Sequence, residues 1–269
     1  MRLELAWGRW RRWYLKTFRP GYVARIGQLR QGEAGGCPWE PLDPRDTKFY
    51  RNQGGYYWRE EDDPFRWRDR LPVVREGLAE ILIFCGGLLL AALATALVYW
   101  PAAWVVGLSA LFPLWFFRDP KRKIPGEAGL VTAPADGRVV YVEEVEEDDF
   151  IGGPAVKIGI FLSVFNVHVN RAPAAARVVG LSYRPGKFLN ALKSASSEEN
   201  EQMAVRLEET AAPYRRMVVR QIAGAIARRI VCWVRPGDLL ERGSKFGMIK
   251  FGSRTELVLG RAPNLIVET

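Results

Sequence analysis

The chain has 269 residues, 48% of them hydrophobic, with 39 Lys and Arg against 30 Asp and Glu for a net charge of +9. That is enough apolar material for one large domain or two small ones, and the basic balance suits an anionic partner such as nucleic acid, an acidic substrate or an anionic membrane surface. One histidine and three widely spaced cysteines (Cys37, Cys85 and Cys232) argue against a His/Cys zinc site, so no metal is expected; they also argue against a disulfide framework and favour a reducing setting.

The first 20 residues set Trp7, Trp10, Trp13, Tyr14 and Phe18 at three- and four-residue steps, with Arg9, Arg11, Arg12 and Lys16 between them. This is either a helix lying in a membrane interface, aromatic face down and basic face toward lipid phosphates, or a solvated basic tail. It lacks the short apolar stretch of a cleavable signal peptide. Residues 21–75 are rich in Gly, Pro, charge and aromatics without a lasting period, so they read as an irregular segment. Glu60-Glu61-Asp62-Asp63 reads as a solvated acidic run, with a cation site as the lesser alternative. Interleaved Arg and Trp also suit single-stranded nucleic acid, but the membrane-like segment that follows argues against that partner.

From Ile81 to Phe117, 37 residues carry no charge. A single crossing needs about 20. Pro101 divides the stretch, and both flanks are basic: Arg75 before it, Arg118, Lys121, Arg122 and Lys123 after it. The excess of Lys and Arg places both flanks in the cytoplasm, which predicts a helical hairpin that spans or dips into the bilayer. A buried soluble helix pair is the alternative.

The remainder reads as short β-branched runs separated by Gly, Pro or charge: 130–132, 138–146, 155–161, 167–171, 176–183, 202–209, 215–221, 229–234, 245–251, 255–259 and 265–268. The predicted fold class is therefore mainly β, a sandwich or barrel-like domain. The run Gly237-Asp238-Leu239-Leu240-Glu241-Arg242-Gly243, followed by Phe246-Gly247-Met248-Ile249, is similar to a pattern in lipoyl and biotinyl carrier domains. The chain thus divides into a basic, aromatic-rich segment 1–75, a membrane-associated hairpin 76–120 and a β domain 121–269. Residues 194–200 form a polar loop suited to cover a site.

Three short stretches carry chemistry. Ala133-Pro134-Ala135-Asp136-Gly137 places an acid at a turn before a strand. Phe165-Asn166-Val167-His168-Val169-Asn170-Arg171 holds the lone His. Lys250-Phe251-Gly252-Ser253-Arg254 holds a Gly-Ser pair. Acid, base and hydroxyl can activate a nucleophile on any fold, because geometry defines the group. A serine hydrolase would use the same residue types but should carry G-x-S-x-G, and Ser253 lies in Phe-Gly-Ser-Arg-Thr.

Together with Phe117-Arg118-Asp119-Pro120, these motifs resemble, in order and rough spacing, the short bacterial phosphatidylserine decarboxylases, over residues 78–269 or so. The resemblance implies a lyase whose carbonyl cofactor is made from its own chain. Ser253 Oγ would attack the Gly252 carbonyl, and elimination and loss of ammonia would leave a pyruvoyl group at residue 253. The products would be a large chain, 1–252, and a small chain, 253–269. Glycine suits the scissile position because it lacks a Cβ and tolerates unusual φ. His168 would take the serine proton, with Asp136 holding the ring. The pyruvoyl carbonyl would then form an imine with the amine of phosphatidylserine and act as the electron sink for loss of CO₂, giving phosphatidylethanolamine. His168 would return a proton, and Arg171, Arg184 or Lys187 would meet the lipid phosphate. Some longer members carry a second His where this chain has Phe165, which reads here as core packing. Association with a second copy is left open. The alternatives are a membrane-anchored serine hydrolase using Ser253, His168 and Asp136, and a non-enzymatic lipoyl-like membrane module.

Overall fold

The computed structural model describes residues 2–33, 39–46, 55–127, 129–193, 195–225, 229–250 and 252–261. Cys37, Phe251, Ser194 and the run expected as a strand at 265–268 lie outside these residues; the described cysteines, Cys85 and Cys232, are free.

Helix α1 (Arg2–Phe18) runs into α2 (Pro20–Leu29), with Pro20 in the first turn, where its missing N–H is not needed. The aromatic steps of α1 stack along one side. Trp7 and Trp10 centroids lie 5.0 Å apart, Trp10 and Tyr14 5.7 Å, Tyr14 and Phe18 5.4 Å. Trp7, Trp10, Trp13 and Phe18 stay exposed. The basic residues do not all share the outer face, as the lipid-facing expectation required. Arg11 is buried and donates to Asp43 at 3.0 Å and to Asp46, and Arg12 lies over the Trp39 ring. Segment 21–75 is also more regular than its composition suggests. It contains α2 and single 3₁₀ turns at Glu60–Asp62, Arg66–Arg70 and Arg75–Gly77.

The uncharged stretch forms α3 (Leu78–Val98), α4 (Trp100–Ser109) and α5 (Leu111–Phe116), broken at Tyr99 ahead of Pro101. Counted from the preceding turn, Arg75–Val98 is a 24-residue helix and, among the described residues, the one helix long and apolar enough to cross a membrane. The second leg is short and broken at Ala110. Gly107 of α4 lies against Ala92 of α3.

The rest of the chain contains strands β1 (Arg138–Asp148), β2 (Gly153–Leu162), β3 (Val169–Arg171) and β4 (Ala176–Arg184), then the single turn α6 (Ser196–Glu199). It continues with β5 (Gln202–Glu209), β6 (Arg216–Ala223), β7 (Arg229–Cys232), β8 (Leu239–Leu240), β9 (Lys245–Lys250) and β10 (Ser253–Gly260). Seven of them form one antiparallel sheet in the order β1-β2-β10-β6-β5-β4-β8, and the other three a second sheet, β3-β9-β7. The larger sheet ends at β1 and β8 without closing, so the barrel expectation is corrected to an open sheet. With the helices α1–α5 ahead of its strands, the chain is mixed α/β rather than mainly β. Residues 130–132, expected as a strand, make no ladder; Thr132 N–H bonds the Pro173 carbonyl instead.

Alternation puts Ile158, Ile160 and Leu162 of β2 and Leu257 and Leu259 of β10 into one core, joined by Phe246 and Ile249 of the second sheet. Each such fully buried side chain contributes roughly 1.5–3 kcal/mol relative to exposure. A second cluster joins Val74, Ile81, Phe116 and Phe117 at the foot of the apolar helices to Val167, Val169 and Met248. The base of the membrane-like segment is thereby packed against the strand that follows His168.

Candidate active site

The chain leaves the small sheet at Lys250 and enters the large one at Ser253, so the Gly-Ser pair is the crossover between them. Gly252 makes that turn with φ of +67°, a left-handed value that side chains with a Cβ disfavour. Ser253 is fully buried in a central strand, opposite Leu162 on one side and Ala223 on the other. Its Oγ is buried with no hydrogen-bond partner among the described residues. An unpaired buried hydroxyl normally costs on the order of 1–3 kcal/mol, and a catalytic role is one reason to retain such a cost. The Gly252 carbonyl lies against Gly224, where an added Cβ would stand 2.4 Å from the oxygen. Glycine at 224 thus lets the carbonyl occupy its position.

His168 is 1% exposed. Its Nδ1 donates to the Asn166 carbonyl at 2.9 Å, which leaves Nε2 as an acceptor, and Nε2 takes the Gly252 N–H at 3.1 Å. The turn that supplies this carbonyl is clasped by Asn166 Oδ1, which accepts from Ser163 N–H at 2.9 Å and Ser163 Oγ at 2.7 Å. The Phe116 ring covers the imidazole at 4.6 Å. Burial lowers the imidazole pKa to about 4; the Asn166 hydrogen bond opposes the shift and the Arg118 charge adds to it. The ring is therefore neutral near pH 7, with its Nε2 lone pair turned toward the Gly252 N–H.

Asp136 has a separate partner. Its carboxylate pairs with Arg122 near the surface, while the Asn166 carbonyl occupies the position on Nδ1 expected for the acid. Gly252 is thus joined to His168 by a hydrogen bond and Ser253 follows it in the chain, while Ser253 Oγ and Asp136 are not hydrogen-bonded to the ring. The three cations expected to meet a phosphate are engaged within the protein. Arg171 bonds Asp119 at 2.6 Å and the Gly243 carbonyl at 3.0 Å, Arg184 bonds the carbonyls of Ser197 and Glu198, and Lys187 bonds Glu199 at 2.5 Å. Phe165 does not pack in the core as expected; it is 65% exposed.

The polar segment after Lys187 is tied down by side-chain hydrogen bonds. Asn200 Nδ2 donates to Leu189 at 2.9 Å and Ala223 at 2.6 Å, and Asn200 Oδ1 accepts the Leu189 N–H at 2.8 Å. Arg254, 2% exposed, reaches the Ala191 carbonyl and, at 3.2 Å, that of Lys193. Beneath Ser253, Gln221 donates to Asn170 at 2.8 Å and Asn170 to Thr255 at 2.9 Å, linking β6, β3 and β10. Asn166, Gly224, Phe116 and Arg254 were not anticipated as site residues. Only Arg254 carried a signal, a charge next to the candidate serine in a run of strand formers.

A family model described as phosphatidylserine decarboxylase matches residues 109–269. A phosphatidylserine decarboxylase proenzyme from Rhodopirellula baltica is 55% identical over 214 residues, covering 80% of this chain and 88% of that protein. Proenzymes of the same description from Symbiobacterium thermophilum and Syntrophus aciditrophicus are similar at 46% and 40% identity; they cover 74% and 72% of this chain and 90% of each relative.

Proposed function

We propose which bond is cut and which groups assist, from the premise that the chain belongs to the phosphatidylserine decarboxylase family. It is a proenzyme that decarboxylates phosphatidylserine to phosphatidylethanolamine through a pyruvoyl group generated by its own cleavage. One observation carries the residue-level reading: the buried, unpartnered Ser253 Oγ follows a left-handed glycine whose N–H rests on the chain's single imidazole.

Ser253 Oγ adds to the Gly252 carbonyl carbon while His168 Nε2 takes its proton. The Ser253 nitrogen then leaves as an amine, so the peptide becomes an ester. Removal of the Ser253 α-proton expels the Gly252 carboxylate and leaves dehydroalanine at 253. Tautomerisation and water release ammonia, leaving the keto group at the head of a small chain, 253–269, beside a large chain, 1–252. These residues fit the group, since the serine that becomes it sits beside a base and out of bulk water. When formed, the pyruvoyl carbonyl supplies an electron sink for the carbanion left by departing CO₂. His168 holds the proton that returns to the substrate Cα. Asp136 balances charge on the imidazolium, a role that requires it to leave Arg122.

The helix at Arg75–Val98 supports membrane association. We place α3–α5 in the bilayer as a hairpin after an interfacial segment 1–75, with 121–269 on the cytoplasmic side as an open two-sheet sandwich. The packing of Phe116 on His168 favours lipid entry from the bilayer, because the last apolar turn touches the reacting ring. The hydrolase reading is disfavoured because Ser253 lies in Phe-Gly-Ser-Arg-Thr rather than in a G-x-S-x-G turn.

Intact-mass spectrometry tests the proposal. The wild type should give two chains, the smaller blocked at residue 253. Ser253→Ala should give one uncut, inactive chain. His168→Ala should also stay uncut, and Asp136→Asn should be cut more slowly. Normal cutting of His168→Ala would place the base elsewhere.

A further inference from the structure

We propose that the Arg118 guanidinium is the site for the phosphodiester anion of the substrate lipid; this rests on the decarboxylase reading above. Arg118 follows the last apolar turn, directly after Phe116 and Phe117, at the depth where lipid phosphates meet water if that turn is in the bilayer. Its guanidinium is fixed on three sides. Nη1 donates to the Trp115 carbonyl at 2.8 Å, Nη2 donates to the Phe165 carbonyl at 2.7 Å, and the group lies 4.0 Å over the Trp115 ring. Its remaining N–H groups have no acceptor among the described residues, and no carboxylate pairs with it there. The neighbouring carboxylate, Asp119, is taken by Arg171 at 2.6 Å and Lys245 at 2.7 Å. Arg171 and Lys187 are paired with carboxylates and Arg184 with the carbonyls of Ser197 and Glu198, whereas Arg118 bonds the turn that carries His168, which makes it the better-placed cation.

Its connection to the chemistry is short. The Phe165 carbonyl that holds Arg118 precedes the Asn166 carbonyl that holds His168, and His168 holds Gly252. The Arg118 charge is felt at the imidazole. Exposed Phe165 and Trp115 flank the guanidinium with apolar surface for the first part of the acyl chains. A planar fork of donors with its position fixed matches a phosphate oxyanion pair. The substrate carboxylate is the poorer ligand, since a cation bound to it would stabilise the charge that must disappear as CO₂ leaves. The phosphate is unchanged through the reaction, so a contact to it contributes equally before and during the chemical step and acts on KM.

The test compares phosphatidylserine with serine octyl ester, which carries the amine and the apolar tail but no phosphate, in the same mixed micelles. Wild type, Arg118→Ala and Arg118→Lys are each checked for the two-chain mass. Arg118→Ala should raise KM for phosphatidylserine about 10- to 100-fold, as loss of a charge-assisted hydrogen-bonded pair does, with kcat within about threefold. It should leave kcat/KM for the ester nearly unchanged, and Arg118→Lys should recover part of the loss. Equal losses on both substrates, or a fall in kcat alone, would make Arg118 a holder of the 163–168 turn and overturn the proposal. If Arg118→Ala stays uncut, the same substrate ratio is read on Arg118→Lys, where equal losses on the two substrates would likewise overturn it. Failure of the decarboxylase reading itself would look different, because wild type would then release no CO₂ from either substrate.

Discussion

In the proposed cleavage, His168 is a single ring kept ready as a base. Buried under Phe116 with a backbone carbonyl on Nδ1, it pays a desolvation cost if protonated and keeps the lone pair of Nε2 on the Gly252 N–H. With its pKa lowered from 6.5 to about 4, the ring is an active base across the neutral range. Proenzyme cleavage should therefore be nearly flat from pH 8 to about 5 and halve near pH 4, as followed by gel or mass after rapid refolding. An inflection near 6.5 would mean a solvated ring. Stability has the matching sign. The unfolded chain binds a proton below 6.5 and the folded one only below about 4, so stability is lost as pH falls through that window, on the order of 3 kcal/mol in all. The importance of this residue was visible in the sequence because no other histidine exists. Its orienting partner was not, because a main-chain carbonyl two residues away has no side-chain signature.

Among the elements, the foot of α3 has the most direct hold on the proposed cleavage site. Lys250, two residues before Gly252, is 3% exposed; its Nζ bonds Glu80 in the first turn of α3 and the Glu76 carbonyl at 2.9 Å, with Arg229 3.8 Å from Glu80. Removing one member of such a buried pair typically costs about 3–5 kcal/mol, because the other charge remains. Lys250→Met should therefore lower the unfolding free energy by about 3 kcal/mol, measured in detergent on the uncut Ser253→Ala background. Glu80→Gln added to it should cost much less than it does alone, since the two share one interaction. The strands were largely legible, since runs such as Gln202–Glu209 alternate and end in turns. Other features were not. Whether β1 and β8 meet to close a barrel depends on pairing between distant edges, which no local pattern encodes. The α1 periodicity marked an aromatic stripe, yet could not tell that Arg11 would turn inward to Asp43 and Asp46, 32 and 35 residues away.

At the scale of the molecule, β10 lies inside the large sheet, paired along its length with β2 and with β6. The proposed cut before Ser253 would sever one peptide bond and leave both ladders, along with the Arg254 bonds to Ala191 and Lys193. The two chains should accordingly co-elute in gel filtration after cleavage and separate only in denaturant. The central position of that strand has a further effect on the life of the enzyme. Before the cut, the strand finds its slot at the high effective concentration that a continuous chain provides; afterwards it is a free peptide that must be recaptured from solution. Denatured Ser253→Ala should regain its native state on dilution, whereas the mature two-chain form should not. Maturation is then a one-way passage: the working catalyst outlasts its own ability to assemble, and its persistence is governed by how slowly it comes apart.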